Sequence, residues 1–487
     1  MSPRKNGLTR RDVLMRAAGA GAVLIAGSRA AGLAGPAEAA TSTAKIRRFV
    51  SRPDLQPPVV SVVHRTTEAA SGHLFLAPSS GPGQRGAMIL DEAGEVVWFH
   101  PTTPRTCMDF RAGLYKGKPA LTWWEGRYVT GVGRIGEYVL MDATYRELAR
   151  FTADHELRPD FHELLLTPHG TALATTFDPV AADLTSVGGP KKGLAFDGVA
   201  HELAVPSGSV LFEWRSLDHI PVTESYQTQV GNPYDYFHIN SIDVDHDGNL
   251  LVSARNTWAV YKVDRHSGRV IWRLGGKKSD FAMGPGAQFV FQHDARSHDE
   301  GRRISIFDNG PHPKTTPHSR AIVLALDEGR RRATLERQIV HAPPLFAKVT
   351  GNAQLLGNGD YLVCWGSTGW FSEYGPRGDV RLDAHLPPGG QNYRVFRLPW
   401  VGKPSEPPAI KATRGGRTLH VSWNGATEVH SWRLLTGKEP ARLQTTATVP
   451  RSGFETAAPV PAGSRYAAAV GLDSKGKQLG RTKTVAV

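Results

Sequence analysis

The sequence predicts an all-β protein, a six-bladed β-propeller followed by a small fibronectin-type-III/Ig-like sandwich. Three observations carry this. Turn residues are abundant, with 52 Gly and 34 Pro among 487 residues, and long helical periodicity is scarce. A unit of four strands joined by tight polar turns recurs through more than 300 residues, the mark of a repeat architecture. After a proline-rich segment, "LPWVGKPSEPPA", that unit gives way to a different strand pattern.

The clearest unit reads "HINSIDVD", "LLVSARN", "AVYKVD" and "RVIWRLG", with "HDGN" and "RHSG" as its turns. Apolar residues alternate with polar ones on both sides of each turn, as in antiparallel hairpins. The preceding region gives "DFRAGLY", "ALTWWEG", "EYVLMD" and "YRELARF". Others begin at "HLFLAP", "FHELLLTPHG", "QHDARSHDEG" and "GNAQLLGNGD", with inserts at 180–198 and 309–319. Units of roughly 40–55 residues suit propeller blades. Six blades fit best, seven is the competing count, and a pair of sandwiches is the competing architecture. Residues 71–402 are assigned to the propeller, preceded by an extension over 40–70. Residues 406–487 are assigned to the sandwich, with Trp423 and Tyr466 expected to face inward.

The first 39 residues read as a targeting segment. "LTRRDVL" precedes the apolar run "AAGAGAVLIAG" and an A-x-A site at Ala37-Glu38-Ala39. Paired arginines before a weakly apolar run predict twin-arginine export and an extracellular or cell-envelope location; an ordinary secretory signal is the alternative. The run is too short to span a bilayer. Losing this segment removes six basic and two acidic residues, taking the net charge from +13 to +9. That charge is spread out, so nucleic-acid binding has no basic patch to support it, while a mild positive field favours an anionic small substrate. Cys107 and Cys364 could form one disulfide in an exported protein or stay unpaired.

In a propeller the inner strand of each blade lines the channel, so residues at the starts of first strands and the ends of second strands meet at one mouth. His162, His238 and His293 start first strands, and Arg255 ends a second strand. Asn240, Thr350 and Asn352 lie close to such starts. His155, His169, His246, His266, His298 and His312 fall in turns or inserts and carry no expected role. Three histidines can hold zinc, but an arginine aimed at a divalent cation is repulsive, and Arg255 favours an anion. "DVDHDGN" resembles the start of an EF-hand loop, yet Ala254 stands where the bidentate glutamate belongs. A histidine nucleophile among cationic and amide neighbours suits group transfer from an oxyanion ester, with no cofactor and no metal.

The segments "YFHINSID", "VSARN", "FQHDAR" and "GNAQLLGNGD" resemble the motifs of bacterial arylsulfate sulfotransferases, which do not use the nucleotide sulfate donor PAPS. "FVSRPDLQPP" and "GHLFLAPSSGPGQRGAMILDEAGEVVWF" resemble the N-terminal region of the actinobacterial branch. The resemblance covers about residues 45–400. It implies transfer of a sulfuryl group from a phenolic sulfate ester to a phenol through a sulfonated histidine. By position His293 matches the nucleophile, and His238 with Asn240 the acid/base and oxyanion-binding pair. Arg255 matches the sulfuryl-binding arginine and His162 the earlier channel histidine, with Thr350 or Asn352 near a further sulfuryl contact. The expected partners are an aryl sulfate donor and a phenolic acceptor. Better-studied members of the family are dimers with a different N-terminal domain, so the resemblance leaves oligomeric state open. A non-catalytic binding propeller and a quinoprotein-like dehydrogenase are the other readings of the same pattern.

Overall fold

Hairpin after hairpin, the polar turns deliver the antiparallel sheets that the sequence pattern calls for. The computed structural model describes residues 45–129, 133–154, 157–228, 232–310, 317–413 and 417–487. Residues 1–39, expected to be an export signal, and His155 and His312 lie outside the described residues. Among those described, no helix is long and apolar enough to cross a membrane.

Six sheets of the repeat region follow one another, each joined in order from an inner to an outer strand. The second contains Thr106–Tyr115, Lys118–Val129, Gly133–Asp142 and Glu147–Phe151, and the third Leu164–Leu166, Thr171–Ala182, Gly193–Ala204 and Val210–Arg215. The fourth contains Ile239–Val244, Leu250–Ala254, Ala259–Val263 and Val270–Gly275. The fifth runs His293–His298, Arg303–Asp308, Arg320–Asp327 and Arg332–Ile339, with Ala282–Met283 added in parallel at its outer edge. The sixth runs Asn352–Leu355, Tyr361–Cys364, Trp370–Tyr374 and Val380–His385. Each sheet touches the next, and the sixth touches the first, closing a ring.

Closure differs from the sequence expectation. His73–Ser80 ("HLFLAPSS") is the second strand of the first sheet, and its inner strand is Gln391–Leu398 from the far end of the repeats. The extension is not separate either, because Ser61–Arg65 pairs with Val380–His385 as a fifth strand of the sixth sheet. Both chain ends thus lock the ring, which leaves fewer free strand edges. The segment 180–198 belongs largely to the long hairpin Thr171–Ala182/Gly193–Ala204.

Because the sheets are covered on both faces, their middle strands can be buried from end to end. Leu250–Ala254 and Ala259–Val263 are buried throughout, and Trp98, Trp214 and Trp272 on outer strands fill the spaces between sheets. Cys107 and Cys364 are buried, free and in different core clusters.

A second region packs Ala409–Ala412, Thr418–Ser422 and Glu455–Pro459 against Arg442–Pro450, Ser431–Glu439, Tyr466–Leu472 and Gln478–Arg481. Its central aromatic is Trp432. Trp423 and Tyr466, expected to point inward, are only half-buried, and Trp423 donates its indole N–H to the Glu406 carbonyl at the rim. This sandwich sits on the outer edge of the first sheet, away from the inner strands. The Asn424 amide accepts from Phe99 N–H (2.9 Å) and donates to Phe99 C=O (3.0 Å), so it extends the strand ladder. Gly425 N–H bonds Val97 C=O at 2.8 Å. With φ of 93°, and with Tyr145 where a Cβ would lie, that position requires glycine.

His201 in the third sheet gives a pH prediction. It is fully buried, neither ring nitrogen has a hydrogen-bond partner, and the Glu213 carboxylate is 3.8 Å away. Burial, reinforced by Arg215, pushes its pKa down to about 3. The unfolded chain takes up this proton near pH 6.5, whereas the folded chain does not. Stability is therefore full above pH 6.5 and falls below it, at about 1.4 kcal/mol per pH unit for this group. Urea denaturation at pH 7 and pH 4.5 should show His201→Leu losing less stability on acidification than the parent. Equal losses would remove His201 as a source of acid sensitivity.

Candidate active site

The sharp turns that lead into the inner strands set the candidate residues facing one another at one end of the ring. His238, Thr350, Trp258 and Phe291 all adopt left-handed backbone, with φ of 56°, 65°, 52° and 51°. Such conformations cost on the order of 1 kcal/mol each outside glycine and gather at functional sites.

His162 and His238 meet edge to face, with ring centroids 5.1 Å apart. Each is oriented by an aspartate just upstream. His162 Nδ1 bonds the Asp160 carboxylate, and His238 Nδ1 bonds Asp235 Oδ2 at 2.5 Å. In both pairs the Nδ1–H donates and Nε2 is left for other work. His162 is buried against Phe161, Phe177 and Tyr393. Burial lowers its pKa to about 4 against the pull of Asp160. Burial alone would raise Asp160, but His162 and Arg134 hold it low.

His293 is 1% exposed. Its Nδ1 lies 2.7 Å from Asn309 Oδ1. The Asn309 amide nitrogen donates to the carbonyls of Ala347 and Thr350, each at 2.9 Å, so its oxygen must be the atom facing the imidazole. His293 therefore carries its proton on Nδ1 and a lone pair on Nε2. The Thr350 backbone N–H donates to that lone pair at 3.4 Å. Burial, then the charge of Arg255, keeps the ring neutral far below its ordinary pKa.

Arg255 follows Leu250–Ala254 and places its guanidinium 4.5 Å from the Phe291 ring centre. Among the described residues no carboxylate lies within ion-pairing distance of it; its NH1 donates to Asn256 Oδ1 at 2.9 Å, and its buried Nε has no partner. Asn240 donates to Gln292 C=O at 2.7 Å, next to His293, while its Oδ1 is buried and unpartnered. Thr350 Oγ1 bonds the Val349 carbonyl. The placement of Asn352 differs from that of a substrate contact. Its amide is taken up by Val395, accepting from N–H and donating to C=O at 2.9 Å each, so it joins the sixth sheet to the closing strand.

Beneath the histidines the inner strands carry a buried charge cluster. Arg111 pairs with Asp109 and Glu163, Arg296 with Glu163 and Asp294, and Arg394 with all three acids. Burial would raise Glu163, but Arg296, Arg394 and Arg111 hold it far down. Tyr393 and Arg394, on the closing strand, reach back to the site: Tyr393 OH donates to His162 C=O (3.0 Å) and Arg394 NH2 to Asn240 C=O (2.9 Å).

Carboxylates orient both His162 and His238, an arrangement that metal and anion sites share. Among the described residues, the set of three whose ligand atoms lie within 4.8 Å of one another is Asp245, His246 and Asp247, not the three channel histidines. At that turn Lys262 Nζ sits 2.7 Å from Asp245 and 2.9 Å from Asp247, filling the place of a cation. His298, expected in a turn, ends the strand His293–His298 and bonds Ser305.

Paired strands and a closed ring of sheets define a β-propeller, with oriented imidazoles and the Arg255 guanidinium gathered at one end of the ring. The chain belongs to the arylsulfotransferase (ASST) family, whose model matches residues 111–386. No curated protein matches it in sequence. Among solved structures it is similar to a protein of unknown function from Bacteroides caccae (14% identity, 67% of this chain and 98% of that one, TM-score 0.42). It is also similar to a streptogramin B lyase (10% identity, 74% and 93%, TM-score 0.36) and to the periplasmic gluconolactonase of Pseudomonas aeruginosa (13% identity, 80% and 99%, TM-score 0.35).

Proposed function

We propose that the protein is an exported, PAPS-independent arylsulfotransferase that moves a sulfuryl group between phenols through a sulfonated His293. The observation that carries this reading is the tautomer that Asn309 imposes on His293, a buried neutral imidazole with its lone pair on Nε2, near the charge of Arg255.

In the first half-reaction His293 Nε2 attacks sulfur, the N–S bond forms, and the bond from sulfur to the aryl oxygen breaks. The electron pair leaves on the phenolate, which takes a proton from the Nε2 of protonated His238, with Asp235 stabilising that imidazolium. Arg255 and the Thr350 N–H face the sulfuryl oxygens as their charge develops. His162 and Asn240 fix the wall opposite. In the second half an incoming phenol gives its proton to His238 and attacks sulfur, which restores His293. The neutral state of His293 at pH 7 suits it as a nucleophile. The twin-arginine pattern supports action outside the cytoplasm.

The test uses the full-length protein with 4-nitrophenyl sulfate, with and without phenol. Release of 4-nitrophenolate that depends on phenol, with an 80 Da adduct on the intact protein when phenol is absent (about the mass of one SO3 group, as covalent catalysis demands), is the expected result. No release with a range of aryl sulfates and phenols would overturn the proposal.

A further inference from the structure

Arg255 differs from the arginines of the central cluster. Arg111, Arg296 and Arg394 each hold carboxylates in the central cluster, and Arg397 pairs with Glu373 at 2.8 Å. Arg255 is half-buried, with no carboxylate among the described residues in ion-pair contact and Asp235 acting on it only from farther off, so other groups must hold its guanidinium in place. Two features do.

The first is Asn256. Its Nδ2 donates to the Asp235 carbonyl at 2.6 Å, which fixes the amide so that Oδ1 faces Arg255 NH1. A neutral acceptor thus stands where an aspartate would normally be, and it ties the guanidinium to the backbone of the residue that orients His238. The second is an aromatic stack. Phe291 lies under Arg255, Trp258 meets Phe291 edge to face at 5.2 Å, and Tyr226 lies flat on Trp258 at 3.6 Å and 7°. Lys277 caps the far face of Tyr226, 5.0 Å from its centre, while donating to the carbonyls of Thr223 and Ser225. Cations therefore close both ends of a three-ring stack, an arrangement that ring quadrupoles favour. Trp258 and Phe291 both accept left-handed backbone, uncommon for large side chains, to reach these places.

Resting on the sulfuryl-transfer reading above, we infer that Asn256 and the Phe291–Trp258–Tyr226 stack are positioning residues that hold Arg255 without neutralising it, so that its whole charge serves a monoanionic sulfuryl group. An acid at position 256 would give Arg255 an internal counter-ion and exclude the substrate's anion, while keeping the side chain's size. The ligand class is a sulfuryl oxyanion, for which the dianion inorganic sulfate is the simplest probe and the monoanion 4-nitrophenyl sulfate the closer one.

The experiment titrates full-length protein calorimetrically with inorganic sulfate and with 4-nitrophenyl sulfate, and records Tm for each variant. Arg255→Met should abolish sulfate binding in both titrations. Asn256→Asp should weaken both ligands by at least about 30-fold with Tm within a few degrees of the parent, a split that a purely structural role would not produce. Phe291→Leu, which keeps the apolar contact and removes the ring, should weaken sulfate in the same direction, and it stands as the test if Asn256→Asp does not fold. Parent-like sulfate affinity in either folded variant, or no sulfate binding by the parent, overturns the inference. Sulfate binding with this dependence but without sulfuryl transfer would instead overturn only the proposed reaction.

Discussion

Replacing His293 by alanine is expected to abolish the covalent adduct and to lower phenol-dependent release from 4-nitrophenyl sulfate by at least about 10³-fold, the scale on which removing a nucleophile acts. No other imidazole can substitute. His162 and His238 are each turned by an aspartate on Nδ1, and neither has Asn309 and the Thr350 N–H arranged around it. The fold should tolerate the change, because the hydrogen bonds of Asn309 to Ala347 and Thr350 do not involve the imidazole. Asn309→Leu offers a finer test. It keeps the ring but frees the tautomer, and Nε2 then carries the proton in part of the population. Activity should fall without loss of the reactive residue, and the adduct should form slowly rather than not at all. Full activity in His293→Ala, measured alongside an unchanged Tm, would falsify the covalent route.

The residues proposed to do the chemistry are easier to read in the sequence than those that orient them. His162, His238, His293 and Arg255 stand out because strand starts and ends recur at blade intervals, and a ring places such positions together. Asp160 and Asp235 are as close in sequence as two and three residues before their histidines ("DFH", "DYFH"), but an aspartate in a turn is so common that only the hydrogen bond distinguishes it. Asn309 borders a segment read as an insert, and its role depends on two carbonyls about 40 residues further on. The repeated D-x-R of "DFR" and "DAR" was a usable signal for the charge cluster. Its third arginine was not legible, because the repeat suggested that "HLFLAP" starts the first blade. Only the strand pairing shows that Gln391–Leu398 takes the inner place. The same register brings Asn352 onto Val395, a partnership invisible when both are read within their own repeats. Trp423 packs only partly buried against the sandwich core, where Trp432 is central, because its indole N–H is held by the linker carbonyl of Glu406.

Arg394→Met is expected to be the most damaging substitution away from the reacting atoms. Its guanidinium is fully buried and lies on Asp109, Glu163 and Asp294 together, at 3.0, 3.1 and 3.4 Å. Without it, two guanidinium groups must serve three buried carboxylates that have no water to turn to. Removing one partner of such a network costs about 3–5 kcal/mol, which for a domain of this size lowers Tm by roughly 5–10 °C. Activity should fall by more than the lost folded fraction explains, since Arg394 also fixes the Asn240 carbonyl and its neighbour Tyr393 fixes that of His162. Combining Arg394→Met with Glu163→Gln separates these effects. Charge balance is restored, so part of the stability should return, but the bond to Asn240 is still missing, so the activity should not. Thermal unfolding and steady-state rates of the two variants measure this, and equal recovery of both would show that the cluster supports the fold alone. The ring is closed by a strand from the far end of the repeats, and that strand carries the arginine on which both the buried charges and the histidine wall depend. Ring closure and site assembly are on this account a single event, and a chain cut before Gln391 should have neither.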